Sequence, residues 1–162
     1  MATKTDFTAE EWNLIRRAPF MAGLVMVAAS PSGPFGIVKE MFAVGKILAD
    51  VKNRGASSDL AKAIVADLET AEGRQQGVPA EFQGKAPGQV RSAALEACRQ
   101  AAALVEKKAK PDEAQAFKEW LVSIGQTVAE AAKEGGFLGF GGVRVSEQET
   151  SALKDLRSAL GG

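Results

Sequence analysis

Between its glycine- and proline-rich breaks, this chain spaces its apolar residues three and four apart. That repeat gathers them on one face of an α-helix and would scatter them over both faces of a strand. Phe117, Trp120, Leu121, Ile124 and Val128 make one such stripe, and Leu60, Ile64, Val65 and Leu68 make another. Only the short run GVRV, residues 142–145, reads as strand. The predicted class is therefore all-α. A chain of 162 residues is the size of one ordinary domain and buries about two thirds of its unfolded surface on folding. The expectation is a single compact bundle of five or six helices over residues 1–162. Composition agrees, because much of the 46% hydrophobic content is alanine, with eight Phe, two Trp and no Tyr. Strands favour β-branched and aromatic residues instead.

The helix ends are signalled locally. Thr8 and Glu11 have capping-box spacing, and Phe7 and Trp12 stand where a hydrophobic staple places them, so a first helix starts there and runs to about Ala29 across Pro19. The run SPSGPFG, residues 30–36, ends it. A second helix is expected over 37–53, and a third from a Ser57 or Ser58 cap to about Ala71. Residues 73–88 carry four glycines and two prolines without a helical period, and form the seam between two halves. A fourth helix follows over 89–108 with an alanine face around Cys98, and a fifth from Pro111 or Asp112 to about Glu134. Ser146 and Glu149 repeat the capping-box spacing and open a last helix with Leu153, Leu156 and Leu160.

Two Glu-Trp pairs, at 11–12 and 119–120, each precede a loop containing glycine and phenylalanine by the same distance. Two helix–loop–helix units related by a pseudo-twofold would produce this echo, as would ordinary packing needs. The segment VRVSEQETSALKDLRSALGG, residues 143–162, resembles the start of the C-terminal helix in tellurite-resistance TerB-like helical domains. The resemblance covers only this segment, about an eighth of the chain, and implies a helical domain. That family often places an Asp-Gly turn before the cap, associated with acidic, metal-associated surfaces. Here the turns read GGVRVS and SPSGPFG, without Asp, so no functional residue carries over.

Catalytic equipment is sparse. Histidine is absent, which removes the commonest general base, the usual nucleophile triads and most transition-metal sites. No serine lies in Gly-x-Ser-x-Gly. Cys98 is the only cysteine, which excludes an intramolecular disulfide and a cysteine-rich zinc site and suits a reducing cytoplasm. Its alanine-rich surroundings, with no histidine and no clear basic cluster beside it, predict a small buried or half-buried hydrophobe and not a nucleophile. Glu40, Glu69 and Glu72 are the least ordinary acids, expected on solvated faces or in ion pairs. Twenty basic residues balance twenty acidic ones, leaving no net field to draw the chain onto nucleic acid.

The segment KEGGFLGFGGVRVSEQE, residues 133–149, admits three readings. As a phosphate cradle it lacks both the P-loop and the complete dinucleotide pattern, since Arg144 stands where a third glycine belongs. As a membrane-dipping loop it offers Phe137 and Phe140, with Phe35 from SPSGPFG, but no polybasic patch. As a hinge, its phenylalanines close the end of the bundle. Phe35, Phe137, Phe140 and Arg144 are the predicted ligand or partner surface. The amino terminus lacks a signal-peptide layout, and the run from Ala18 to Ala29 is shorter than the ~20 residues of a spanning helix. The expectation is a cytoplasmic, non-enzymatic interaction or stress-associated scaffold, using no cofactor and partnered by protein, self or other. The alternatives are a binder of lipid or another apolar ligand between helices, and a carboxylate-based metal-binding protein.

Overall fold

The computed structural model describes residues 2–29, 58–70, 85–134 and 147–161. Among them a 3-10 turn, Lys4–Asp6, precedes five α-helices: α1 (Ala9–Ala29), α2 (Asp59–Leu68), α3 (Pro87–Lys108), α4 (Pro111–Glu134) and α5 (Glu147–Ala159). No strand occurs among the described residues. The helices pack into a compact all-α bundle. The helix expected over 37–53 and the seam over 73–84 lie outside the described residues.

α1 begins as its sequence requires. The Thr8 amide donates to Glu11 Oε2 at 2.8 Å and the Glu11 amide donates to Thr8 Oγ1 at 3.2 Å, so two amides that have no intrahelical acceptor are satisfied reciprocally. The Phe7 and Trp12 rings meet at a tilt of 39° across the entry with centroids 6.0 Å apart. Further along, all seven residues from Met21 to Val27 are buried. A helix covered on every side belongs at the centre of a bundle, and α1 packs against each of the other four helices. Pro19, buried inside it, is accommodated within the continuous helix.

Its most extensive neighbour is α3. The two run antiparallel: Lys108, at the end of α3, pairs with Glu11 and donates to the Asp6 carbonyl beside the start of α1. Small side chains let them approach, with Ala18 and Ala22 buried on α1 and Ala94, Cys98, Ala101 and Ala102 buried on α3. Cys98 Sγ lies 3.8 Å from the Ala18 carbonyl. Two residues join α3 to α4, which makes an antiparallel hairpin. Lys118 and Glu106 bridge it at 2.6 Å. α5 crosses back along α4, Leu156 lying by Gly125 and Gly161 by Lys118, and an Arg91 to Asp155 ion pair ties it to α3.

Two boundaries differ from expectation. α3 starts at Pro87 and not Gln89, because proline at the first position loses no hydrogen bond, while the Gln89 side chain reaches back to accept from the Ala86 amide at 3.3 Å. α2 stops at Leu68 and not Ala71. There the Thr70 amide and hydroxyl both donate to the Asp67 carbonyl, at 3.1 and 2.6 Å, and this converts the last turn into a stop. Its start is as expected, with Ser58 Oγ accepting from the Ala61 amide at 3.2 Å.

The α4 stripe of Phe117, Trp120, Leu121, Ile124 and Val128 is buried throughout. Both Glu-Trp tryptophans are buried but differ in their partners. Trp12 Nε1 donates to Asp67 at 3.2 Å, whereas Trp120 Nε1 has no acceptor among the described residues.

Candidate functional site

Phe35, Phe137, Phe140 and Arg144, together with Glu40 and Glu72, lie outside the described residues. Glu69 is exposed just past the end of α2. Two grooves, an ionic knot and a thiol stand out among the described residues.

The larger groove, about 410 Å³, runs between α4 and the end of α5. Val122 and Leu160 supply its apolar surface, and Lys118, Glu119, Gln126 and Arg157 surround them. These positions are brought together because α5 returns antiparallel along α4 and stops at Gly161, whose φ of +80° suits a residue without a Cβ. Lys118 is engaged with Glu106, and Glu119 accepts from Gln115 at 3.0 Å. Arg157 makes no ion pair among the described residues. Nothing local in the sequence marks this groove, since its walls come from positions over thirty residues apart.

The second groove, about 350 Å³, follows the seam of α1 and α3. Leu14, Met21, Ala93 and Ala97 form its apolar part, and Arg17 and Lys85 bring positive charge to it. Glu96, also on this groove, is held by Arg99 at 2.6 Å and Gln100 at 3.1 Å, and these bonds keep its carboxyl below the usual range.

The knot centres on Asp67, in the last turn of α2. Lys4 Nζ donates to Oδ1 at 2.6 Å, while Arg16 Nη1 at 3.1 Å and Trp12 Nε1 at 3.2 Å donate to Oδ2. Burial raises the carboxyl's pKa, but the bonds from Lys4, Arg16 and Trp12 outweigh it and hold the group below its ordinary value. Asp6 and Glu11 are likewise lowered, Asp6 by the Thr3 amide and hydroxyl and Glu11 chiefly by Lys108. Each of these carboxylates is thus ionised at neutral pH and tied to a cation or an amide. A general acid would require the opposite shift.

Cys98 is fully buried, and burial alone pushes its thiol up to about 12. A thiolate is therefore inaccessible at neutral pH. The unfolded chain loses this proton above the ordinary value of 9.0, while the folded chain keeps it. Stability is unaffected below that value and falls as pH rises from it toward 12. Relative to its own neutral value, the wild type should lose about 1 kcal/mol more stability by pH 10 than Cys98→Ala, in denaturant titrations of both. Equal losses would show that the folded thiol titrates normally.

No group of three or more Cys, Asp or Glu side chains able to hold a metal ion occurs among the described residues. None of the described helices is long and apolar enough to cross a membrane. No protein-family model matches the chain, and neither a curated protein nor a solved structure gives a match.

Proposed function

We propose that this chain is a non-enzymatic helical interaction protein, of the interaction or stress-associated scaffold kind, that docks a protein partner in the groove between α4 and α5. The observation that carries this reading is the groove itself: a cleft floored by half-buried Val122 and buried Leu160 and edged by both signs of charge. Apolar contact flanked by charge gives a protein surface affinity and register together. The unengaged Arg157 supports it, because arginine is favoured at interfaces for its planar, multiply donating head. The absence of histidine and the tied carboxylates are consistent with a binding role. A cytoplasmic location suits a single buried thiol. The TerB-like cap pattern is compatible with this reading and contributes no site residue to it.

The test is a photo-crosslinking residue at Val122, with exposed Ala103 on α3 as the control position, activated in the cells that produce the protein. The expected result is a discrete protein adduct, self or other, from position 122 and none from 103. Equal or absent adducts at the two positions count against the groove.

A second reading is favoured by the α1–α3 groove, whose apolar walls suit the chain of a single-chain amphiphile. Native mass spectrometry of protein purified without added ligand separates the two. A stoichiometric retained small molecule supports the amphiphile, and protein masses alone support the scaffold.

A further inference from the structure

Gln115, Glu119, Val122 and Gln126, which line the α4–α5 groove, are spaced four, three and four residues apart along α4. That spacing puts them on one stripe of the helix, and the stripe is exposed except at half-buried Val122. Its charges are not used up within the chain. Glu119 accepts from Gln115, a neutral amide of its own helix, and neither Glu119 nor exposed Arg157 of α5 makes an ion pair among the described residues. Lys118, in contrast, is held by Glu106 at 2.6 Å.

Arg157 has a defined level along this stripe. Leu156 lies by Gly125 and Gly161 by Lys118, so α5 runs antiparallel to α4 and Arg157 comes level with the part of α4 just past Val122. Glu119 lies about one turn before it. The groove therefore presents an acid, an apolar side chain and a base in that order along α4.

A twofold contact between two copies needs a patch that is complementary to itself. Turning a second copy about an axis near Val122 brings its Glu119 toward Arg157 and its Arg157 toward Glu119, with the two Val122 side chains between them. The same rotation sets its Gln115 toward Gln126, where side-chain amides donate and accept in either direction. Twenty basic residues balance twenty acidic ones, so no net charge holds two copies apart.

Resting on the α4–α5 groove as the docking site, we propose that its occupant is a second copy of this chain, in a symmetric dimer held by two reciprocal Glu119–Arg157 pairs around Val122. The patch is small and mostly polar, which places the dimer among weak, reversible associations.

Sedimentation velocity over a dilution series reaching the millimolar range tests this on the full chain. The wild type should show reversible monomer–dimer exchange. Arg157→Glu and Glu119→Arg change exposed side chains, and each should raise the dissociation constant at least about tenfold, since each sets like charges against each other twice. An equimolar mixture of the two variants should recover most of that loss, because both contacts of the mixed dimer join opposite charges, and the recovery also shows that both variants are folded. A wild type that stays monomeric, variants that dimerise as it does, or a mixture no tighter than its components would each overturn the proposal. The groove is judged separately: a monomeric chain whose position 122 still crosslinks to a different protein keeps the groove and loses the second copy.

Discussion

Phe117→Ala should lower the unfolding free energy by about 3–5 kcal/mol, the cost of removing a fully buried ring together with the cavity it leaves. The basis is position. Phe117 has no exposed surface and is one of the largest wholly buried side chains in the described core. It sits on α4, which packs against every other described helix. Its ring meets Trp120 edge-on at 6.4 Å, so part of the loss is aromatic pairing and part is apolar area. Phe117→Leu, which keeps most of the volume, should cost less than about 2 kcal/mol. Urea titrations followed by far-ultraviolet circular dichroism give both numbers, and Trp120 fluorescence should change in the alanine variant even without denaturant. An alanine loss below about 1 kcal/mol would place the centre of the core elsewhere.

Gly125→Val is the second large effect, with an expected loss of about 2–3 kcal/mol from overpacking. A Cβ at this position would come within 2.8 Å of Leu156 Cδ2 and 3.4 Å of Leu153 Cδ1, with Met26 Cγ at 3.6 Å. This is the point where α1, α4 and α5 converge. Leu156 is fully buried, so its methyl has little room to retreat. Gly125→Ala sets the scale. Alanine gains about 1 kcal/mol of helix propensity over glycine, which offsets the single close contact and should leave that variant within about 1 kcal/mol of wild type. Combining Gly125→Val with Leu156→Val should recover part of the loss, because the second change removes the methyl carbon that the first one strikes. A double variant no better than the sum of the singles would mean that the clash is relieved by backbone movement instead.

Both predictions concern positions read differently in the sequence. Phe117 belongs to a stripe whose period alone places it inward, and the structure buries that stripe as expected. Gly125 sits in the same helix with no turn to justify it, and its reason, two leucines and a methionine from other helices, is visible only after folding. The same division runs through the helix ends. Thr8 and Glu11 announce the start of α1 because a capping box is made of residues three apart. The stop of α2 falls three residues before the end its sequence predicts, because apolar period and composition do not register the bonds that Thr70 makes to the Asp67 carbonyl.

Of the candidate sites, little was legible. The α4–α5 groove joins Gln115 to Gly161, and the Asp67 knot joins Lys4, Trp12 and Arg16 to a carboxylate more than fifty residues away. The one local trace of the knot is an acid at the wrong end of a helix, a signal too weak to read without its partners. For Cys98 the alanine-rich run leaves buried and half-buried open, and the packing of α3 on α1 makes it fully buried.

Helix class, the capped starts of α1 and α2 and the inward faces of α2 and α4 follow from residues within one or two turns of each other, where 3.6-residue geometry and short side-chain bonds act without help from the rest of the chain. Which helix occupies the centre, where Gly125 lets three helices meet, and which cations surround Asp67 depend on distances between segments far apart in sequence. Close packing and the burial of charge settle those, and only the assembled tertiary structure brings the groups near enough for either to act.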